Sequence, residues 1–89
     1  MTRQEINDDY GITLDEGAEV VYHHYDTEWY EGWSLTIYRL RGKLFEVNSS
    51  HCSCDGLEWD PERTTLKALR FRFKNGGRWP GLKEILYGA

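Results

Sequence analysis

Cysteine is scarce: the chain has two, Cys52 and Cys54, with one residue between them. Paired Cα atoms in a disulfide usually sit about 5.5 Å apart in a restricted geometry, so a bridge between these two would close a strained ring. That excludes a secreted disulfide scaffold and leaves two reduced thiols as the plain reading. No apolar run approaches the ~20 residues of a membrane span, so no membrane partner is expected. The opening Met1-Thr2-Arg3-Gln4-Glu5 lacks the basic stretch and apolar run of a secretory leader, and the expected location is cytoplasmic. There is no phosphate-cradling Gly-rich loop, no Ser/His/Asp signature and no nucleotide-binding fingerprint. The nine glycines read as turns and caps. On these absences the chain is not expected to be an enzyme and no cofactor is expected.

Aromatic residues are abundant: four Trp, six Tyr and three Phe in 89 residues. The length has room for one small domain, 1–89, which buries roughly 60–65% of its unfolded surface. Aromatics burying about 150–250 Å² each must then supply much of the core. Charge is unevenly spread around a net −4. Residues 1–35 carry nine acids against Arg3 alone, and residues 36–89 carry ten bases against six acids. An acidic side and a basic side are expected.

The pattern predicts an α+β fold: a short N-terminal helix, a three-stranded antiparallel meander, and one or two C-terminal helices packed on it. Thr2 and Glu5 form a capping-box pair for a helix over about residues 3–9, ending before Gly11. Ala18–Tyr25 is rich in β-branched and aromatic residues and reads as a strand. Asp26–Gly32 reads as a loop. Trp33–Leu40 alternates, with Trp33, Leu35 and Ile37 on one face and Ser34, Thr36 and Tyr38 on the other. Arg41-Gly42 suits a tight hairpin turn into a strand over Lys43–Ser50. Ser49–Pro61 reads as irregular. Thr64 or Thr65 can cap a helix to about Lys74, stopped by Asn75-Gly76-Gly77. A last helix is expected from Pro80 towards Tyr87.

Three groups of residues are candidates for function. The first is an acidic aromatic stretch. Glu28, Trp29, Tyr30 and Glu31 fall in the expected loop, and Tyr and Trp dominate protein–protein hot spots. The carboxylates would steer towards a basic partner. Trp33 and Tyr22 are assigned to the core, and a homodimer through the exposed aromatics is an alternative. The second group is a basic ridge, Arg63, Lys67, Arg70 and Lys74, along the helix from about residue 64, with Arg63 either in its first turn or just before the helix proper. It is a candidate face for nucleic acid or a partner, although a pI near 5.3 disfavours general nucleic-acid affinity. Leu66, Leu69 and Phe73 form the apolar stripe of that helix, and Phe71 lies apart from it. The third group is His51, Cys52 and Cys54, whose donor types suit zinc, with His23 or His24 as a fourth ligand. The same thiols beside His51 and Asp55 could serve thiol chemistry. The spacing does not match common zinc patterns, and the alternative is a structural loop.

The segment Gly42–Trp59, with Ser49-Ser50-His51-Cys52-Ser53-Cys54-Asp55-Gly56-Leu57-Glu58 at its heart, is followed by Pro61-Glu62 and Thr65-Leu66-Lys67-Ala68-Leu69. It resembles a family of small bacteriophage and prophage proteins that carry a Ser-His-Cys-Ser-Cys-x-Gly-Leu-Glu core between a strand and a helix. The resemblance covers roughly the middle third of the chain and transfers no catalytic residues. It implies a viral accessory protein in a bacterial host cytosol. With the absences above, it points to a protein that binds a host protein or defence complex, as an inhibitor of the anti-CRISPR or anti-restriction type.

Overall fold

The computed structural model describes residues 3–51, 56–75 and 77–88. Helix α1 (Arg3–Tyr10) precedes strands β1 (Glu19–Glu28), β2 (Glu31–Leu40), β3 (Lys43–His51) and β4 (Glu62–Thr64), which are followed by α2 (Leu66–Arg72) and α3 (Leu82–Tyr87). The strands form one antiparallel sheet in the order β1-β2-β3-β4. The fold is α+β, as expected, but the meander has four strands rather than three. The additional strand has three residues, Glu62-Arg63-Thr64, lying against Leu44–Glu46. So short and polar a segment carries no period-2 signal. Pro61 just before it suits the start of an edge strand, where no ladder donor is lost.

Local chemistry sets most element ends. Helix α1 stops where Gly11, at φ 67°, donates its N–H to the Asn7 carbonyl at 2.8 Å, the left-handed cap that glycine favours. Thr2, its expected cap, lies outside the described residues. Arg41 and Gly42 both have positive φ, 52° and 76°, as a two-residue hairpin turn requires. Thr65 caps α2, its hydroxyl accepting the Ala68 N–H at 3.1 Å. That helix therefore begins after Thr65 and is shorter than expected, and α3 begins at Leu82, past Pro80 and Gly81.

Both sheet faces are covered. On one, Tyr22, Leu35, Ile37 and Leu44 pack with Leu69 of α2, Trp79, and Leu82 and Leu86 of α3. On the other, Tyr38 and Val47 pack with Ile6 and Tyr10 of α1, Leu14, Ala18 and Leu57. A bulge between Val20 and Tyr22 makes this division possible. Val20 and Tyr22 are two apart and would share a face, but the extra residue flips the register, so Val20 meets the α1 layer and Tyr22 the α2/α3 layer. Because α1 lies over the second face, Ser34 and Thr36 are fully buried there. They are satisfied locally: the Tyr10 hydroxyl donates to Ser34 Oγ at 2.7 Å, and Thr36 Oγ1 lies 2.7 Å from His23 Nδ1.

Tyr22 carries a pH prediction. Its hydroxyl donates to the Pro80 carbonyl at 2.7 Å, and burial pushes its phenol up to about 12. An unfolded tyrosine titrates near 10. The folded state resists ionisation, so its stabilising contribution is complete below about pH 10 and is lost as pH rises through about 12. Urea midpoints should fall over that window. Tyr22→Phe should fall less steeply there, at a cost of about 1 kcal/mol at neutral pH for the lost hydrogen bond. Equal alkaline slopes for the two proteins would refute the assignment.

Candidate functional site

The expected loop at Asp26–Gly32 is instead a continuation of the hairpin. Asp26 pairs with Trp33, Thr27 with Gly32 and Glu28 with Glu31, leaving Trp29-Tyr30 as a two-residue turn. Among the described residues, Gly32 is the outermost β2 position with a β3 partner, His51. Of the described strands only β1 and β2 continue beyond it, as a short two-stranded finger, Glu28–Glu31.

Two features of this tip run against its own stability. Trp29 takes φ 57°, a conformation that costs an L-residue roughly 1–2 kcal/mol and glycine almost nothing. Glu28 and Glu31 stand directly opposite each other, and like charges in that position repel. Neither penalty is offset by burial: Trp29 is 92% exposed and Tyr30 74%. The tip thus breaks two local rules with no folding gain to offset them.

The root of the finger is fixed by packing. Tyr25 and His51 lie edge to face, ring centroids 5.7 Å apart, and the Tyr25 hydroxyl is hydrogen-bonded to His51 Nε2. Burial, and secondarily the Asp9 charge, pushes the Tyr25 phenol up. Gly32 lies against this pair, so a Cβ there would collide with both rings. On the other face, the Arg78 guanidinium covers Trp33 at 4.5 Å. Gly32→Ala should therefore cost about 1–3 kcal/mol through overpacking and splay the finger. Thermal unfolding would show the loss, and a wild-type midpoint would refute the close packing.

The basic ridge is only partly assembled. Lys67, Arg70 and Lys74 edge a groove of about 570 Å³ whose other walls are Thr65, Ala68, Phe71 and Tyr87. Phe71 is 84% exposed. Arg70 donates to the Leu86 carbonyl and lies 5.8 Å over the Tyr87 ring, while the Tyr87 hydroxyl donates to the Arg70 carbonyl. Arg63 does not belong to this ridge. It lies on β4 beside Phe45, with its guanidinium 5.7 Å over that ring. Since Phe45 packs in the α1 layer, Arg63 is on the sheet face opposite α2; the helix starts too late to include it. Of the expected apolar stripe, Leu69 is buried and Phe73 half-buried, but Leu66 stays exposed. Tyr87, which closes the groove, gave no signal in sequence because it sits alone at the end of the last helix.

His51 closes β3 and lines a cleft of about 700 Å³ with Glu31, Trp33, Ser50, Gly56, Leu57 and Glu58. Cys52 and Cys54, the other candidate metal ligands, lie outside the described residues. Neither other histidine joins His51. His23 uses Nε2 on Asp9 Oδ2 and Nδ1 on Thr36 Oγ1, both at 2.7 Å. His24 lies on the opposite face, edge-on to Trp79 at 6.1 Å. Among the described residues, no group of three or more His, Cys, Asp or Glu could hold a metal ion. The Asp9–His23–Thr36 chain has the residue types of a nucleophile relay, but Thr36 is fully buried, so it works as a core network. No described helix is long and apolar enough to cross a membrane.

Comparison with family models, with curated proteins and with solved structures finds no match for this chain.

Proposed function

We propose that this chain is a binding protein that presents the finger Glu28-Trp29-Tyr30-Glu31 to a basic surface of a host protein or complex. The observation that carries the reading is Trp29, which is almost wholly exposed at a turn position where glycine would be less strained. A Trp–Tyr pair supplies anchors that fill a partner's pocket, and the flanking carboxylates set orientation and speed encounter. The resemblance of the central segment to bacteriophage proteins makes the host target a component of bacterial antiviral defence, with the chain acting as its inhibitor by occupying a working surface.

The test is affinity capture from nuclease-treated host lysate, with wild type beside Glu28→Lys, Glu31→Lys. One stoichiometric complex held by wild type is expected. The double charge reversal should weaken capture at least about 10-fold at low salt, and the difference should narrow as salt screens the charges. Equal capture by both proteins would remove the finger from the interface.

A further inference from the structure

The chain carries two surfaces that match each other. One is the finger, an aromatic pair between Glu28 and Glu31, with Asp26 further down β1. The other is the groove between α2 and the end of α3, which Lys67, Arg70 and Lys74 edge and Ala68, Phe71 and Tyr87 wall. Two carboxylates flank the aromatic pair on the finger, three cations edge the groove, and each surface has an exposed aromatic residue.

We infer that the groove is the docking site for the finger of a second copy of this chain, and that two copies exchange fingers reciprocally. Area favours the reciprocal form. A Trp and a Tyr that each bury about 150–250 Å² give one finger-in-groove contact about 600–1,000 Å² when both sides are counted. That falls short of the roughly 1,200–2,000 Å² of a stable interface, and two such contacts reach it. A single contact would be heterologous and would propagate into open chains, whereas the reciprocal pair closes on a two-fold axis.

The inference shares the finger with the proposed function and adds a control on it. A finger held in the groove of its twin is not available to a host partner. The dimer is a stored form, and the host complex competes with it.

Sedimentation velocity of the intact chain tests this. Wild type should pass from 10.5 kDa to twice that mass as concentration rises, and should dissociate between about 0.05 M and about 0.5 M salt. Phe71→Glu should weaken self-association at least about 30-fold and leave host capture intact, because the finger is untouched. The decisive pair is a finger variant, Glu28→Lys with Glu31→Lys, and a groove variant, Lys67→Glu with Lys74→Glu. Each alone should be monomeric, and mixed they should form a heterodimer, since both contacts are then complementary again. Wild type at 10.5 kDa throughout would overturn the inference and leave the proposed function standing. A dimer insensitive to Phe71→Glu would also overturn it. Loss of host capture in Phe71→Glu would assign the groove to the host partner, and co-purifying nucleic acid lost in the groove variant would assign it to phosphates; either result overturns a second copy as its occupant.

Discussion

Trp29→Ala with Tyr30→Ala should reduce affinity for the captured host complex at least about 100-fold while leaving the thermal midpoint at or near the wild-type value. The two effects separate because these side chains do little for the fold. They are 92% and 74% exposed, and exposed substitutions usually change stability by no more than about 0.5 kcal/mol. At an interface the same truncations remove the residue types most often found as hot spots, each costing about 2 kcal/mol or more. Calorimetry against the purified complex, with urea denaturation of both proteins, measures both quantities. A variant that loses binding and stability together would mean that the tip is structural.

Leu69→Ala should cost about 2–5 kcal/mol, a large part of the 5–15 kcal/mol typical of small domains. Leu69 is fully buried where α2 meets the sheet, among Leu35, Ile37, Leu82 and Leu86. Its removal leaves a cavity where α2, α3 and the sheet meet. Leu66→Ala, three residues earlier on the same helix, should cost clearly less, about 1 kcal/mol, because that side chain is 37% exposed. Urea midpoints of the pair settle the orientation of α2. Equal losses would mean that α2 is rotated about its axis.

Much of the architecture was legible because turn and cap chemistry is local. Arg41-Gly42, Thr65 and Gly11 each announce an element boundary without tertiary context. The alternation over Trp33–Tyr38 likewise assigned each residue to its face, and Trp33 and Tyr22 do pack inward. What failed was decided by pairing across the sheet. The segment Asp26–Gly32 reads as a loop because its charges and its turn lack the usual strand and hairpin residues, yet ladder bonds carry β1 and β2 to their tips. Strand β4 exists only because Leu44–Glu46 offers it a template. That pairing also takes Arg63 out of the helix and breaks up the expected ridge. The burial of Ser34 and Thr36 depends on α1 lying over them, which no period-2 pattern encodes.

The candidate site was legible as composition and illegible as geometry. Exposed Trp29 and Tyr30 among carboxylates could be read from the chain. Their mounting on a paired hairpin, with Gly32, Tyr25 and His51 packed at the root, could not, because His51 is far away in sequence. Nor could the positive φ of Trp29. The zinc reading rested on donor types alone. His23 is hydrogen-bonded to Asp9 and Thr36 and His24 lies on the other face, while Cys52 and Cys54 lie outside the described residues.

The most direct measurement is the stability and host capture of Trp29→Gly alone. Glycine relieves the positive φ and removes the indole in one step. The expected result is a urea midpoint unchanged or raised by the equivalent of about 1 kcal/mol, with capture of the host complex lost. Capture at the wild-type level would contradict the account, because the side chain held in that conformation would then have no role in binding.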